Sequence, residues 1–324
     1  MIRLAFICGL LGLAAVTAII IWTGFDQVVT ALGQAGWGIL WTALYHAVAI
    51  TCSAVGWRVL IRGSGRPSNL FMMYVLWLRS AVNNLMPVAR IGGELLAVRV
   101  MTKYGISKND AVASTIVELT LSVIAVFIFD AAGIGLFTFH IADRHIGWEL
   151  LLGLLLSVPV IAALLIIQRA GFFGLLDKIF NLMFRNMEKK FSGDAAELDR
   201  AVHAMYRRTG SVLVCGFWQF LGWSLGAGEV WLALHFLGHP LPFLQAFMIE
   251  ALIQASASAA FVIPGALGVQ EAGFLIFGQM LGLSPQIAVA LALMRRCRDL
   301  ILFVPGLIAW QVQEGSWLLT SKKK

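Results

Sequence analysis

Six polar or charged side chains stand in stretches of the sequence that are otherwise apolar, and their types could bind a charged group. They are Asn84, Arg90, Glu94, Glu118, Glu271 and Arg295. Carboxylates can bind a proton or a cation, and the planar guanidinium group of arginine can bind a phosphate or a carboxylate. Since a charge in apolar surroundings is costly without a partner, the set predicts a site for the polar part of a substrate.

Glu94 and Glu271 occupy equivalent places in two stretches that are rich in proline and glycine. The stretches read MPVARIGGE at 86–94 and IPGALGVQE at 263–271, and each glutamate follows its proline by seven residues. The residues expected to interrupt the helices are Pro87, Gly92, Gly93, Pro264, Gly265 and Gly268. A carboxylate at the start of a helix can accept free backbone N–H groups. Each glutamate is therefore either a helix cap or part of the substrate site.

An internal repeat with an offset of 177 residues connects the two stretches. Without a gap, residues 87–118 and 264–295 are identical at eight of 32 positions. The offset also places Glu118 and Arg295 at equivalent points of two helices that are expected to approach each other. It therefore predicts an ion pair between them. Arg296 and Arg298 are expected to reach the membrane interface or to pair with acidic residues, of which the candidates are Asp130, Glu229 and Glu250.

The composition predicts an all-α polytopic membrane protein. The chain has 324 residues, of which 60% are hydrophobic and 13% charged, where a soluble domain has about 25% charged residues. So few charges cannot cover the surface of a soluble enzyme of this length. The long apolar runs also exclude a transmembrane β-barrel, whose strands alternate with a period of two.

Eight apolar regions organise the chain. Six are long enough to cross a bilayer, at residues 4–22, 38–61, 111–139, 148–168, 211–237 and 286–313. The regions 69–102 and 243–282 contain the breaks and predict re-entrant helical hairpins, because non-helical backbone at membrane depth must be surrounded by protein or water. The whole chain, 1–324, is then a single membrane domain with repeat 1 over 1–139 and repeat 2 over 140–316.

The basic residues predict the orientation of the chain. Of the 24 basic residues, 18 fall on one face and only Arg144 lies in the opposite loops, so both termini are predicted to be cytoplasmic. The hairpins then open from opposite sides, as in the inverted repeats of secondary transporters, where broken helices build the substrate site. The segment 169–208 is predicted to be amphipathic and to lie on the cytoplasmic leaflet, with a charged helix starting near Ser192.

Several classes of chemistry are not predicted. The sequence shows no nucleotide motif, no set of metal ligands and no nucleophile beside an obvious base. The expectation is a protein that is not an enzyme and has no cofactor and no metal. The net charge of +7 does not predict nucleic-acid binding, because the basic residues fall between the hydrophobic spans.

The two interrupted motifs resemble the membrane region of lysylphosphatidylglycerol synthases and the related stand-alone membrane proteins. They read NNLMPVARIGGELLAVRV and VIPGALGVQEAG, and the overall likeness is greatest to the hopanoid-biosynthesis-associated branch. The resemblance covers residues 35–315. The family pattern matches the proline and glycine residues of the two breaks, the glutamates Glu94 and Glu271, and Glu118 and Arg295 on the following helices. The sequence departs at Gln270, where relatives often carry arginine. No soluble aminoacyl-transfer domain follows the last span, so synthase activity is not expected.

The resemblance implies a lipid transporter or flippase. Its substrate would be a modified phospholipid, such as an aminoacylated one, or a hopanoid, moved between leaflets or toward the outer membrane. The implied location is the bacterial cytoplasmic (inner) membrane, and lipid-biosynthesis enzymes are possible partners. Two other functions stay open: an ion-coupled transporter of small solutes, and a membrane partner of lipid-biosynthesis enzymes that transports nothing itself.

Overall fold

A computed structural model describes residues 25–62, 67–86, 92–140, 192–260, 263 and 266–321, together with a few residues between 149 and 159. The described part is helical and contains no strand. Its helices are α1 (Phe25–Ala35), α2 (Gly38–Leu60), α3 (Asn69–Leu85), α4 (Gly92–Lys103), α5 (Lys108–His140), α6 (Ser192–Tyr206), α7 (Thr209–Phe236), α8 (Phe243–Ala259), α9 (Val269–Met280) and α10 (Pro285–Ser321). This confirms the predicted helical class.

Four of the six predicted spans coincide with helices, namely α2, α5, α7 and α10. By length and apolarity alone, α2 and α5 could each cross a membrane, and α8 is a shorter apolar helix. The predicted spans 4–22 and 148–168 and the segment 169–191 lie outside the described residues, apart from a few positions. The helix predicted to begin near Ser192 is confirmed as α6, whereas α1 is a helix that the hydropathy pattern did not predict.

Both interrupted regions form two helices with a break between them. The arms α3 and α4 lie within 69–103, and α8 and α9 lie within 243–280, as predicted. Ser68 starts α3, and its hydroxyl accepts a hydrogen bond from the Phe71 N–H at 3.1 Å. The second break is three residues longer than the first, so the offset of 177 holds for α4 and α9, whereas α3 and α8 are offset by 174.

Helix packing follows a reciprocal pattern between the two halves of the chain. Helix α2 packs along α7, α3 packs against α10, and α8 packs against α5. The first arm of each interrupted pair thus contacts the long helix of the other half. Glycine permits close approach at both crossings: a Cβ on Gly133 would collide with Ala251, and one on Gly306 would press on Ala81. Small residues at helix crossings are typical of membrane bundles.

Two apolar cores fill the space between these helices. One lies among the helices from α2 through α5, around Trp57 and Met101, and the other lies among the helices from α7 through α10, around Leu252 and Phe274. Further large apolar side chains are exposed in stripes at helical spacing, among them Leu40, Leu44 and Val48 on α2 and Ile301, Val304, Ile308 and Val312 on α10. Stripes of this length are unfavourable in water and suit contact with lipid.

Candidate functional site

Arg79 lies at the centre of the first group of buried charges. Its Nε lies 3.0 Å from Oε1 of Glu94, and its Nη1 lies 2.5 Å from Oε2 of Glu118. Gln219 of α7 donates to the other Glu118 oxygen at 2.8 Å, and the guanidinium group stands 5.0 Å from the ring centroid of Trp57. One arginine from α3 therefore holds carboxylates from α4 and α5. Sequence reasoning did not select Arg79 or Gln219 as site residues, although a lone arginine in an apolar stretch was a signal for Arg79.

The start of α4 is capped across the hairpin by Asn83. Its Oδ1 accepts from the Gly93 N–H at 3.0 Å, and its Nδ2 donates to Glu94 Oε1 at 3.2 Å. A Cβ on Gly93 would collide with the Asn83 side chain, so the close approach requires glycine. Because Asn83 makes the cap, Glu94 is left for the ion pair with Arg79. The second oxygen of Glu94, Oε2, is buried and has no hydrogen-bond partner among the described residues.

The remaining predicted residues of the first break take other positions. Asn84 donates from Nδ2 to the Ser80 carbonyl at 2.9 Å, so its amide satisfies the backbone of its own helix. Gly92 is the first residue of α4. Pro87 and Arg90 lie outside the described residues.

Glu271 combines the two roles that the sequence left open. Its Oε2 accepts from the Gly268 N–H at 2.8 Å, which caps α9, and its Oε1 lies 2.6 Å from Nε of Arg296. Gly268 has a φ of 82°, a conformation that favours glycine. The Arg296 Nη2 atom is buried and has no hydrogen-bond partner in the described part of the chain. Pro264 and Gly265 are not among the described residues.

A larger group of charges joins α2, α7 and α10. Arg298 contacts both carboxylate oxygens of Glu229 at 2.7 and 2.8 Å and Asp299 at 2.6 Å. His46 of α2 approaches the same Glu229 at 2.7 Å through Nδ1. Arg296 connects this group to Glu271, since its Nη1 lies 3.7 Å from Asp299. Of the alternatives that the sequence left open, the structure shows Arg298 paired with Glu229, whereas Arg296 pairs with none of the three candidates. Sequence reasoning did not select His46.

The predicted ion pair between Glu118 and Arg295 is wrong. Arg295 pairs with Glu250 of α8 and lies over the Phe274 ring at 4.9 Å, and Glu118 pairs with Arg79. In each half, the charge on the long helix meets an opposite charge on the first arm of its own hairpin, with the signs exchanged. The offset identified the positions on the long helices but not the arms that supply their partners.

The space beside Glu229 and Arg295 is small in this conformation. The cavity beside Glu229 and Arg295 measures about 10 Å³, close to the least volume that holds one water molecule. A groove of about 640 Å³ between α2, α3 and α10 is lined mostly by apolar groups, including Phe71, Trp77 and Leu302. No group of three or more His, Cys, Asp or Glu residues in the described ranges could hold a metal ion.

Comparison with known proteins places the chain in a family. It matches the family described as lysylphosphatidylglycerol synthase TM region over residues 9–306. The UPF0104 membrane protein PH1989 of Pyrococcus horikoshii is 22% identical over 310 residues, which cover 89% of this chain and 90% of that protein. A UPF0104 membrane protein of Methanothermobacter thermautotrophicus is 23% identical over 305 residues, which cover 88% of each. No solved structure matches the chain significantly. The chain belongs to the lysylphosphatidylglycerol synthase TM-region family of membrane proteins.

Proposed function

We propose that this protein moves a polar-headed lipid between the two leaflets of the cytoplasmic membrane. The observation that carries the proposal is the pair of buried arginine–carboxylate groups at the starts of α4 and α9, around Arg79 and Arg296. Ionisable residues within a membrane domain are costly and mark substrate pathways. Guanidinium and carboxylate groups complement a headgroup that carries a phosphate and, when aminoacylated, an ammonium group.

Two buried atoms without partners define what the headgroup would bind. Glu94 Oε2 can accept a hydrogen bond and Arg296 Nη2 can donate one, and neither has a partner among the residues that the structure describes. Leaving such a group unsatisfied costs about 1–3 kcal/mol. A ligand that supplies an N–H group to Glu94 or a phosphate oxygen to Arg296 recovers this cost on binding.

The proposed architecture is an inverted repeat of six full transmembrane helices and two re-entrant hairpins, with both termini cytoplasmic. The reciprocal packing supports it. The repeat makes α3 equivalent to α8 and α10 equivalent to α5, so the contact of α3 with α10 in one half corresponds to the contact of α8 with α5 in the other. In such repeats the substrate site lies between the halves near the bilayer midplane.

The mechanism we propose is alternating exposure of the two arginine groups to the two sides of the membrane. Arg79, Glu94 and Arg296 expose only 11%, 15% and 20% of their side chains in this conformation, so the hairpins are proposed to move when a headgroup enters. The tail stays in lipid along the apolar groove at Trp77. Transport of this kind needs neither a catalytic residue nor a cofactor, and the enzymes that make the lipid are proposed partners.

Reconstitution into liposomes tests the proposal. The assay measures exchange of labelled lipids between leaflets, using phosphatidylglycerol, its lysyl ester and a hopanoid in parallel. We expect wild-type protein to accelerate exchange of at least one of them. Glu94→Gln and Arg296→Gln are expected to slow it about tenfold, the factor that corresponds to 1.4 kcal/mol of lost interaction.

The matched control is Glu314→Gln, which removes a carboxylate paired with Arg99 away from both groups. It is expected to exchange lipid like wild type. Exchange no faster than in protein-free vesicles for every lipid class would refute lipid transport. Saturable uptake of a water-soluble solute in the same vesicles would then favour the small-solute transporter.

A further inference from the structure

Asp130 is a buried carboxylate to which no arginine of the described part binds. It lies in α5 with 4% of its surface exposed, and its Oδ1 has no hydrogen-bond partner among the described residues. The other buried carboxylates among the described residues each contact an arginine; they are Glu118, Glu229, Glu250, Glu271 and Asp299. The architecture described above gives Asp130 no role.

The crossing of α5 and α8 brings together the helix segments that carry Asp130 and Glu250. Gly133, one turn further along α5, packs directly on Ala251, and the Phe129 ring stands 4.7 Å from the ring of Phe247. Asp130 directly follows Phe129, and Glu250 directly precedes Ala251, so both carboxylates belong to the segments through which the two helices touch. Two carboxylates therefore share one crossing in the interior of the bundle.

In the described part of the chain, Arg295 is the arginine that pairs with one of these two carboxylates, Glu250. Arg295 of α10 binds one oxygen of Glu250, and Gln254 donates to the other at 3.0 Å. Helix α7 presents Gly226 to the Glu250 side chain, and the acidic residue of α7 in this region, Glu229, is bound to Arg298 and His46. If both were ionised, Asp130 and Glu250 would leave an uncompensated negative charge at the crossing.

A proton fits this position better than a multivalent metal cation. An unpaired buried charge is so costly that the group is neutralised instead. Metal ions such as Zn²⁺ or Ca²⁺ are held by several acidic, histidine or cysteine side chains, and the described ranges contain no group of three or more of these that could hold a metal ion. A proton needs one carboxylate oxygen, which Asp130 offers.

We propose that Asp130 is a proton-binding residue that couples lipid movement to a proton gradient, an inference that rests on the proposed lipid transport. With the proton bound, Glu250 keeps Arg295, and α8 stays tied to α10. When Asp130 releases its proton to water, two carboxylates compete for the same guanidinium group. Proton release thereby weakens the contact that holds the first arm of the second hairpin.

Liposomes with an imposed pH gradient test the coupling. If one proton moves with each lipid, a gradient of one pH unit enriches the labelled lipid about tenfold in one leaflet at steady state. We expect this enrichment for wild type and for Asp26→Asn, which changes an exposed aspartate on α1. Asp130→Asn is expected to exchange lipid with a leaflet ratio of about one.

Several outcomes would overturn the inference. Equal enrichment by Asp130→Asn and wild type would remove Asp130 from the coupling. Enrichment driven by a sodium gradient at equal pH would replace the proton by sodium. Wild-type exchange that ignores every gradient would show that no coupling exists, while leaving lipid transport intact. Absence of wild-type exchange under all conditions would instead refute the proposed function.

Infrared spectroscopy gives a readout that does not depend on transport. A protonated carboxylic acid has a carbonyl stretching band that a carboxylate lacks. Detergent-solubilised wild type and Asp26→Asn are expected to show this band at neutral pH, and Asp130→Asn is expected to lose it. A band that persists unchanged in Asp130→Asn would refute proton binding at this residue, whatever the transport assay shows.

Discussion

At the residue scale, the arginines that pair with Glu94 and Glu271 come from different kinds of helix. Arg79 belongs to the first arm of its own hairpin and binds Glu94 of the second arm. Arg296 belongs to the long helix α10 and binds Glu271. The first pair therefore holds a hairpin together, whereas the second attaches a hairpin to the helix that follows it. A headgroup that competes for Arg296 would free α9, and one that competes for Arg79 would separate α3 from α4.

Removal of Arg79 is expected to be strongly destabilising. Arg79→Gln leaves Glu94 and Glu118 without their counter-charge, and breaking a buried pair from one side costs about 3–5 kcal/mol. Adding Glu118→Gln is expected to cost less than the sum of the two single changes, because the residues share one interaction. The measurement is unfolding in detergent, followed by tryptophan fluorescence.

The control for this prediction is Arg99→Gln. Arg99 pairs with Glu314, and its side chain is 53% exposed, so its loss is expected to cost less than about 1 kcal/mol. Similar losses for Arg79→Gln and Arg99→Gln would contradict a buried structural role for Arg79.

At the element scale, the breaks were predictable and the crossings were not. Proline and glycine interrupt a helix through local backbone properties, so α3, α4, α8 and α9 could be placed from sequence. Which glycine meets another helix depends on how two elements are rotated toward each other. Helix α5 carries Gly133 against Ala251, whereas a Cβ at Gly135, two residues further on, would meet no atom of a neighbouring element within 4 Å.

This pair of glycines gives a matched test of the crossing of α5 and α8. Gly133→Ala is expected to lower stability by about 1–3 kcal/mol through overpacking. Gly135→Ala is expected to leave stability unchanged or to raise it by up to about 1 kcal/mol, because alanine has the higher helix propensity. Thermal unfolding of both variants in the same detergent compares them. A Gly133→Ala variant as stable as Gly135→Ala would contradict the close approach.

At the scale of the whole molecule, the outward apolar stripes and the buried charges reverse the arrangement of a soluble protein. Side chains such as Leu44 and Ile308 face outward, while Glu118 and Arg298 lie inside. Lipid as the surrounding solvent accounts for the stripes, and membership of a membrane-protein family agrees with it. The two long helices α5 and α10 each show both features, because their charged side chains face inward and their apolar side chains face outward.

The proposed antiparallel halves are testable by thiol labelling. In a background without native cysteines, Lys103→Cys marks the end of α4 and His239→Cys marks the turn before α8, both at exposed positions. A membrane-impermeant thiol reagent is expected to label Lys103→Cys only in inside-out vesicles and His239→Cys only in right-side-out vesicles, because the basic residues orient the first hairpin toward the cytoplasm. Labelling of both from the same side would exclude an inverted repeat.

Sequence alone determined the helical class, the two regions in which a helix is interrupted and the polar residues that lie in apolar surroundings. Hydropathy, proline and glycine act locally, so their effects can be predicted along the chain. Only the tertiary structure decided the partners: Glu118 binds Arg79, Arg295 binds Glu250, and Asp130 binds neither arginine. The reason is that an ion pair depends on which helices pack together and how each is rotated. No spacing along the chain specifies either.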